Sequence, residues 1–419
     1  MFALADCNAF FVSCERIFRP DLENKAVVVL SNNDGCAISR SNEAKKLDIT
    51  MGEPFYQFAY LERAGAVTVF SSNYKLYGDM SRRVQQVLRS AVPALEVYSI
   101  DESFMDLGGM EGMDFDVWAK HLSAECRRQT GIPVSVGVAP TKTLAKIASK
   151  LCKQYPRLRG GCYMYRKADI LRVLANFPVD DVWGIGRRYT RRFNAYGIRT
   201  ALDFYNAEEG WVRGQMGVSG LRTWRELHGE PCIEFEHYAQ PKQQICVSRS
   251  FSKEIYDIDD LSRHVSRFSA MACEKLRGQH SACHAATIFL LTNRHKDGIE
   301  QRYDNTLVSF DVATDSTIEI NKAILAALRR LFREGTGYKK AGVVLGEICR
   351  RGEVQGALFD SLDRDKHAKL MTAMDAINSR SGHSVVTLAT EAHEGTNVNR
   401  NHLSPCYTTD WNDIMVVKA

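Results

Sequence analysis

Three acidic residues stand in segments that otherwise have the pattern of β-strands. Asp6 lies in the apolar stretch 2–7, and Asp101 and Glu102 lie in the alternating stretch 95–107. Because an unpaired acid inside a strand is costly, Asp6 needs a partner. Neighbouring side chains on a strand face opposite sides, so Asp101 and Glu102 can share an ion only near a bend or a strand end. A divalent cation satisfies both conditions, since Mg²⁺ prefers hard oxygen ligands.

The chemistry open to such a site is phosphoryl transfer. Two ions about 4 Å apart could activate a 3′-hydroxyl and stabilise a leaving pyrophosphate. The residue types alone leave another interpretation open, in which Asp6 caps a turn and Asp101 and Glu102 form a solvated acidic pair. A further acid on the same strand, Asp106, is interpreted as structural.

A row of lysines offers positive charge. Lys142, Lys146, Lys150 and Lys153 are spaced so that a helix over 141–154 places all four ammonium groups on one face. Like charges in such a row repel one another unless an anion lies against them. The alternative is an ordinary solvated face.

A glycine-containing turn precedes a run of arginines. Val182-Trp-Gly-Ile-Gly186 is typical of the turn in a helix-hairpin-helix motif. Gly184 and Gly186 let the backbone turn tightly and present N–H groups to a phosphate. Arg187 and Arg188 follow at once and add charge. The pattern predicts contacts to DNA phosphates without base preference, and a plain helical turn is the alternative.

The remaining pattern predicts the elements that carry these residues. Strands and helices alternate through the first 165 residues, which predicts one sheet with helices packed on it. The stretch 168–230 is helical, and 231–243 has the composition of a linker. From 244 to 350 the order strand, helix, two strands, helix, strand predicts a two-layer α+β module. Residues 351–419 are polar and weakly patterned.

Composition sets the broad class. A chain of 419 residues suggests about two to four domains, and 45% hydrophobic with 25% charged residues is ordinary for a globular protein. The net charge of +5 is only mildly basic, so nucleic-acid binding must be argued from where the charges lie. The cysteines form no C-x-x-C pair, and reduced thiols are expected. The densest Cys/His group lacks zinc-site spacing: Cys273, His280, Cys283 and His284. With no signal-peptide pattern and no spanning segment, a cytoplasmic chain with no membrane partner is expected.

Several motifs together resemble one enzyme family. Leu4-Ala-Asp-Cys-Asn-Ala-Phe-Phe-Val-Ser-Cys-Glu15 and Tyr98-Ser-Ile-Asp-Glu102 resemble the two catalytic motifs of Y-family DNA polymerases. A narrower resemblance, to the UmuC-type catalytic subunit of bacterial DNA polymerase V, rests on four further motifs: Ser31-Asn-Asn-Asp-Gly-Cys36, Phe70-Ser-Ser-Asn-Tyr74, Thr141-Lys-Thr-Leu-Ala-Lys146 and Asp181-Val-Trp-Gly-Ile-Gly-Arg187. The similarity covers essentially the whole chain, including Ser404-Pro-Cys-Tyr-Thr-Thr409.

The resemblance implies an α+β multidomain fold, namely a right-hand polymerase with palm, fingers, helix-hairpin-helix thumb and little-finger domain. The implied boundaries are 1–10 with 74–166 for the palm, 11–73 for the fingers, 167–235 for the thumb, 244–350 for the little finger and 351–419 for a C-terminal tail. Within the fingers, 33–38 would roof the nascent base pair.

The implied activity is DNA-directed DNA polymerisation, performed as error-prone translesion synthesis in the SOS response. Asp6, Asp101 and Glu102 would be catalytic and would hold two Mg²⁺ ions, with the backbone carbonyl of Cys7 as a further ligand.

Five residues are implied around the nucleotide: Phe10, Phe11, Asn42, Lys45 and Lys153. Phe11 takes the position of the steric gate against a ribose 2′-hydroxyl, where many relatives have Tyr, and Phe10 is interpreted mainly as core. Asn42 and Lys45 stand where the wider family has Tyr and Arg, and Lys lacks the bidentate fork of Arg. Lys153 would reach the triphosphate.

The implied partners are primer-template DNA, a deoxynucleoside triphosphate, a sliding clamp, a processed UmuD-type dimer and RecA. Gln355-Gly-Ala-Leu-Phe359 resembles the peptide that docks on the bacterial clamp. Leu358 and Phe359 would fill an apolar pocket of the clamp, with Gln355 beginning the motif.

Two other functions stay open on the residues alone. A two-metal DNA nuclease would explain the carboxylates and the helix-hairpin-helix, but it would leave the ring of Phe11 and the phosphate lysine Lys153 unexplained. A catalytically silent DNA-binding scaffold would not need the complete acid set.

Overall fold

The computed structural model describes residues 1–238, 240–360, 362–381, 384–391 and 399–415. They form two compact units, the first from Met1–Ala239 together with Asn401–Ala419 and the second from Gln240–Arg400. No helix among the described residues is both long enough and apolar enough to span a bilayer.

The elements of each unit are given in chain order. The first unit contains β1 (Phe2–Cys7), α1 (Phe10–Phe18), β2 (Val27–Leu30), β3 (Ala37–Arg40), α2 (Asn42–Lys45), α3 (Phe55–Arg63), β4 (Thr68–Ser71), α4 (Tyr74–Arg89), β5 (Ala94–Val97), β6 (Glu102–Asp106), α5 (Phe115–Thr130), β7 (Val134–Ala139), α6 (Lys142–Gln154), β8 (Gly161–Tyr163), α7 (Lys167–Asn176), α8 (Arg187–Ala195), α9 (Ala201–Tyr205) and α10 (Glu209–Leu227). The second unit contains β9 (Ile245–Ile255), α11 (Ile258–Gly278), β10 (Ser281–Leu291), β11 (Tyr303–Thr314), α12 (Thr317–Leu331), β12 (Tyr338–Arg350) and α13 (Arg364–Ser381).

The larger sheet of the first unit is built around β1. Its strand order is β5-β6-β1-β7-β8, and β1 is antiparallel to both β6 and β7. Since alternate residues of a strand face opposite sides, Ala3 and Ala5 enter the core beneath α4 and α5, whereas Leu4 and Asp6 face α6. The single strand expected over 95–107 is wrong, because a turn divides it into β5 and β6.

Helix α6 lies directly on β7. A Cβ on Gly137 would come within 2.1 Å of the backbone nitrogen of Ser149, so only glycine permits this approach. The helix begins after Thr141, whose hydroxyl caps it by accepting a hydrogen bond from the Leu144 N–H over 3.3 Å. The close packing brings the lysine-bearing face of α6 against the acid-bearing face of the sheet.

A smaller sheet follows in the region predicted as fingers. Its order is β3-β2-β4, with β2 antiparallel to β3 and parallel to β4. Val28 and Leu30 of the apolar strand β2 form its core with the buried ring of Phe58 on α3, whereas Val27 and Val29 join the core of the larger sheet. Helix α1 was not predicted from sequence, and its buried residues Phe10, Val12 and Cys14 join the core of the larger sheet instead.

Helices α7 to α10 form the helical stretch expected after the first sheet. Their core is continuous with that of α6 and contains Phe193 and Phe204, whose rings stack with centroids 5.5 Å apart. Val182 and Ile185, the apolar residues of the predicted hairpin, are buried in the same cluster.

The second unit contains the predicted strand and helix order. Its antiparallel sheet has the order β11-β10-β12-β9, and the buried faces of α11 and α12 pack against it in one core. This confirms the two-layer α+β module expected from sequence.

The described part of 351–419 is divided between the two units, which differs from the expected single tail. Helix α13 belongs to the second unit, where Asp375 accepts hydrogen bonds from Arg277 over 2.6 and 2.7 Å. Residues 401–413 belong to the first unit. The hydrophobic pattern of the sequence did not reveal either segment, because polar contacts hold both. In α13 the buried residue is Met371.

Candidate active site

One cleft of the first unit, with a volume of about 760 Å³, gathers the predicted metal and nucleotide residues. The cleft is lined by Asp6, Cys7, Phe10, Phe11, Asn42, Lys45, Asp101, Glu102 and Lys153. It lies where the ends of β1 and β6 meet β3 and α2, two elements of the region predicted as fingers. Residues far apart in sequence therefore share one site, as the motifs predicted.

Backbone pairing brings the three carboxylates to one strand end. Asp6 is opposite Glu102 in the β1–β6 register, and the Cys7 N–H donates to the Asp101 carbonyl over 2.9 Å. Strand β6 begins at Glu102, so Asp101 lies in the bend before it. With the bend between them and the preceding strand, both Asp101 and Glu102 line the same cleft, as two adjacent acids that share an ion must.

Each lysine of the row on α6 pairs with a carboxylate of the protein. The four pairs are Lys142–Glu96, Lys146–Glu102, Lys150–Asp181 and Lys153–Asp6. Lys153 Nζ lies 2.6 Å from Asp6 Oδ2, and Lys146 Nζ donates to both oxygens of Glu102 over 2.9 Å. The sequence left open an anion against the row or a solvated face, and in the structure the anions against the row are carboxylates of the chain itself.

The surroundings at this strand end disfavour the negative charge of Asp6. Burial raises the pKa of Asp6, and the charges of Glu102 and Asp101 raise it further, while Lys153 acts in the opposite direction. A divalent cation would offset both the desolvation and the mutual repulsion of the carboxylates.

The donor set fits a hard divalent cation, because carboxylates and the strand-end carbonyl of Cys7 are oxygen donors. Within the described ranges, no three acidic, histidine or cysteine side chains already stand as a ligand group. Asp101 accepts a hydrogen bond from the Ser99 hydroxyl over 2.6 Å, and Asp6 and Glu102 hold lysines. Metal binding must therefore exchange these contacts for metal–oxygen contacts by rotation of the side chains.

Cationic side chains converge on the finger side of the cleft. On α2, Lys45 Nζ donates a hydrogen bond to Asn42 Oδ1 over 3.1 Å. Burial lowers the pKa of Lys45, and the positive charges of Arg40 and Lys153 lower it further. An anion placed beside Lys45 would stabilise the positive charge that burial and these neighbours disfavour.

The ring of Phe11 is held by other aromatic rings. It stacks on Tyr77 with centroids 4.7 Å apart and meets Tyr74 edge-on at 6.0 Å. Ala9, directly before α1, adopts the left-handed conformation with φ 43° and ψ 51°, which turns the chain sharply from β1 into α1. Phe10 is 3% exposed, so its ring is mostly core although it borders the cleft.

The residues predicted to contact DNA lie apart from the cleft lining. Gly184 has φ +89°, a left-handed conformation that favours glycine, and Gly186 precedes the first residue of α8. No side chain caps α8 and no acid lies in its first turn. Arg187 and Arg188 are exposed and form no salt bridge with any described residue.

The predicted clamp motif lies in the second unit, beyond β12. Leu358 and Phe359 are each 91% exposed, and Gln355 is exposed as well. Large apolar side chains at this exposure are available to a partner.

Sequence reasoning missed the surroundings of Lys146. Its ammonium lies 4.5 Å from the ring centroid of Tyr98 and 5.2 Å from that of Trp183, so two aromatic faces and the carboxylate of Glu102 enclose it. Trp183 belongs to the hairpin of the predicted thumb. The signal in the sequence was an aromatic residue, Trp183, at a hairpin position where the helix-hairpin-helix motif does not prescribe a residue type.

Comparison with family models gives matches along most of the chain. The impB/mucB/samB family matches residues 5–150, and its C-terminal domain matches 242–358. The IMS family HHH motif matches 167–198, and a domain of unknown function matches 368–417.

Curated relatives match over their full length. Protein UmuC of Salmonella typhimurium is 41% identical over 422 residues, and Protein ImpB of Salmonella typhimurium is 42% identical over 427 residues, each match covering 100% of both chains. DNA polymerase IV of Caulobacter vibrioides is 28% identical over 91% of each chain.

Solved structures share the fold at low identity. A Y-family DNA polymerase chimera of Dbh and Dpo4 has a TM-score of 0.68 at 20% identity, covering 84% of this chain and 100% of its own. An insertion ternary complex of Dbh DNA polymerase has a TM-score of 0.54 at 21% identity, with the same coverage.

Proposed function

Because the chain belongs to the impB/mucB/samB family and is a UmuC-type DNA polymerase of the Y-family fold, we propose that it copies damaged DNA in the SOS response by two-metal nucleotidyl transfer. Family membership confirms the resemblance predicted from the motifs, together with the α+β polymerase fold and the class of DNA-directed DNA polymerase, here of the translesion type.

One observation carries the proposed mechanism: a group of carboxylates and a group of cations share a single cleft. Positive charge would stabilise the carboxylates of Asp6, Asp101 and Glu102. Negative charge would stabilise Lys45 and its neighbour Arg40. A deoxynucleoside triphosphate together with divalent cations supplies both.

The residues of the cleft would have three separate roles: metal binding, phosphate binding and selection of the sugar. Two Mg²⁺ ions held by Asp6, Asp101, Glu102 and the Cys7 carbonyl would favour ionisation of the primer 3′-hydroxyl and neutralise the leaving pyrophosphate. Lys153 would exchange Asp6 for a phosphate oxygen, and Lys45 with Asn42 would bind the phosphates from the finger side. Phe11, supported by Phe10, would exclude a ribose 2′-hydroxyl.

We further propose that the helix-hairpin-helix holds primer-template DNA by its phosphates. The first backbone N–H groups of α8 carry the positive end of the helix dipole, and no acid or capping side chain offsets it. Gly184 and Gly186 allow the backbone to approach a phosphate, and Arg187 and Arg188 add charge in solvent.

The proposed macromolecular partners are a sliding clamp, a processed UmuD-type dimer and RecA. The exposed apolar pair Leu358 and Phe359, with Gln355, supports docking to a clamp. Identity of 41% to Protein UmuC along the whole chain supports the UmuD-type dimer as a partner, whereas RecA is proposed from the family resemblance alone.

The two rival functions make different demands on the cleft. A nuclease needs the carboxylates but neither the stacked ring of Phe11 nor the cations around Lys45, and it would degrade primer without triphosphates. A silent scaffold would show no metal-dependent turnover.

The test is primer extension across an abasic site with Mg²⁺ and four deoxynucleotides, with and without the dimer and RecA. Wild type should extend past the lesion, and Asp101→Ala should bind primer-template DNA as tightly but not extend it. Asn42→Ala serves as a folding-matched variant of the same cleft, which should raise the KM for nucleotide and keep extension. Extension by Asp101→Ala would refute the metal assignment, and no extension by folded wild type with both partners would favour the scaffold.

A further inference from the structure

Glu15 is a carboxylic acid inside the core of the first unit. Its residue surface is 0% exposed, and it lies on α1 four residues after Phe11. The oxygen Oε1 accepts two hydrogen bonds, one from the Tyr77 hydroxyl over 2.6 Å and one from the Ser404 hydroxyl over 3.0 Å. A buried acid is costly unless it is held by such donors, so the three side chains form a linked set.

Ser404 comes from the segment 401–413, which lies in the region matched to a domain of unknown function. The Asn73 side-chain amide, just before α4, donates to the backbone oxygen of Ser404 over 3.0 Å and to that of Pro405 over 3.2 Å. Tyr407 stacks on Phe18 of α1 with centroids 4.5 Å apart. The segment is therefore fixed to both helices that carry the Glu15–Tyr77 pair.

The same segment also contacts the loop 31–36 between β2 and β3, called here the finger loop after the region predicted as fingers. The Asn401 N–H donates to Asp34 Oδ2 over 2.8 Å, and the Ser71 hydroxyl donates to Asp34 Oδ1 over 2.6 Å. The His402 N–H in turn donates to the Ser71 hydroxyl over 3.0 Å. Asp34 belongs to 33–38, the stretch expected to roof the nascent base pair.

The consequence for the cleft runs through Tyr77. Its hydroxyl is fixed by Glu15, and its ring forms the platform on which the Phe11 ring stacks, nearly parallel at 22°. The hydroxyls of Ser404 and Tyr77 donate to the same oxygen of Glu15. When one donor is lost, that oxygen is held less firmly, and its hydrogen bond to the other donor changes as well. The side chain that faces the sugar thus takes its position from residues outside the cleft lining.

We propose that Ser404, Glu15 and Tyr77 are positioning residues that set the location of the Phe11 ring, so that the segment 401–413 tunes discrimination between deoxyribonucleotides and ribonucleotides. This role rests on the proposed function, in which Phe11 is the sugar gate. It gives a specific task to a segment whose relatives are grouped only as a domain of unknown function.

The experiment measures single-nucleotide insertion on undamaged primer-template DNA by the full chain, with the same partners in every assay. The quantity compared is kcat/KM for a deoxynucleotide divided by that for the matching ribonucleotide. The variants are Ser404→Ala and Tyr77→Phe, which remove one hydroxyl each, and Ser404→Thr, which keeps it. Melting temperatures of all variants report stability separately.

Ser404→Ala and Tyr77→Phe should each lower the discrimination ratio by about fivefold, the factor that loss of one ordinary hydrogen bond produces. Ser404→Thr should match wild type, since its hydroxyl can still donate to Glu15. An unchanged ratio in both hydroxyl-deleted variants, with lower melting temperatures, would overturn the proposal and leave a purely structural tie. An equal loss in Ser404→Thr would also overturn it.

The variant Phe11→Ala tests the sugar gate separately from the positioning role of Ser404, Glu15 and Tyr77. If it relaxes sugar selection while Ser404→Ala and Tyr77→Phe do not, the gate stands and the positioning role fails. If Phe11→Ala leaves sugar selection unchanged, the gate assignment fails and the positioning role falls with it.

Discussion

Lys146 donates a hydrogen bond to each carboxylate oxygen of Glu102, both over 2.9 Å. The lysine therefore holds this acid, a proposed metal ligand, in one orientation, and it would compete with a cation for the carboxylate. The rings of Tyr98 and Trp183 keep the ammonium in place. A positive charge so close to a proposed metal ligand would weaken metal binding, so its removal should strengthen that binding.

Lys146→Met should lower the Mg²⁺ concentration for half-maximal primer extension by about fivefold, because one partly exposed charge pair contributes on the order of 1 kcal/mol. The maximal rate should fall, since Glu102 loses its orienting partner. The measurement is a Mg²⁺ titration of extension rate. Lys150→Met is the matched control, because its partner Asp181 does not line the cleft. A raised Mg²⁺ requirement in Lys146→Met alone would contradict the competition.

The double variant Arg187→Ala/Arg188→Ala should weaken binding of primer-template DNA equally for unrelated sequences. It should also reduce the slope of log Kd against log salt by about two, because each phosphate contact contributes roughly one unit. Fluorescence anisotropy across a salt series measures both effects. Arg89→Ala, an exposed arginine at the end of α4, should leave the slope unchanged. A sequence-dependent loss would point to base contacts instead.

Leu358→Ala/Phe359→Ala should abolish the stimulation of synthesis by a sliding clamp and leave synthesis without clamp unchanged. Both side chains are 91% exposed, so their removal costs the fold little. Primer extension with and without clamp gives the comparison. Leu370→Ala, an exposed leucine of α13, is the control in the same unit. Equal losses with and without clamp would show a folding defect.

Glu15 should make the stability of the chain depend on pH. Burial raises its pKa from 4.5 to about 7, although the hydrogen bonds from Tyr77 and Ser404 act in the opposite direction. The groups that face it, Cys14, Tyr77 and Tyr407, all have a raised pKa and stay uncharged below pH 7. Between pH 4.5 and 7 Glu15 is therefore protonated in the folded chain and ionised in the unfolded chain.

In that window the folded state binds more protons, so the free energy of unfolding falls as the pH rises, by at most about 3 kcal/mol. Glu15→Gln cannot titrate and should lose this part of the slope. Denaturant unfolding of both proteins at several pH values between 4.5 and 7 measures it. Equal slopes for the two proteins would show that Glu15 has the same pKa folded and unfolded.

The carboxylates could be predicted from sequence because each is a local anomaly. Asp6 interrupts an apolar strand, and Asp101 with Glu102 requires a bend, which the turn before β6 provides. The lysine spacing on α6 predicted a shared face correctly. It could not say which carboxylates meet that face, because the partners come from other elements brought there by the fold.

Other parts of the site depend on contacts that no local pattern encodes. Helix α1 begins where Ala9 takes a left-handed conformation, which alanine rarely adopts, so no start signal is visible. The bond between Ser404 and Glu15 joins residues 389 positions apart, and the side chains that anchor 401–413 are mostly polar. Hydrophobic periodicity cannot detect a segment held in this way.

The hydrogen bond from Asn73 to Ser404 spans 331 positions of the chain. During translation the strands and helices that carry the carboxylates therefore leave the ribosome long before the segment that fixes Tyr77 and the finger loop. Domains fold as units while synthesis proceeds, at about 5–20 residues per second. A nascent chain therefore passes through a stage of many seconds in which the carboxylates are present but Glu15 and Tyr77 lack the hydrogen bond from Ser404. Under the proposed role of Phe11, this order of assembly delays accurate choice of sugar until the segment 401–413 has been made and has docked.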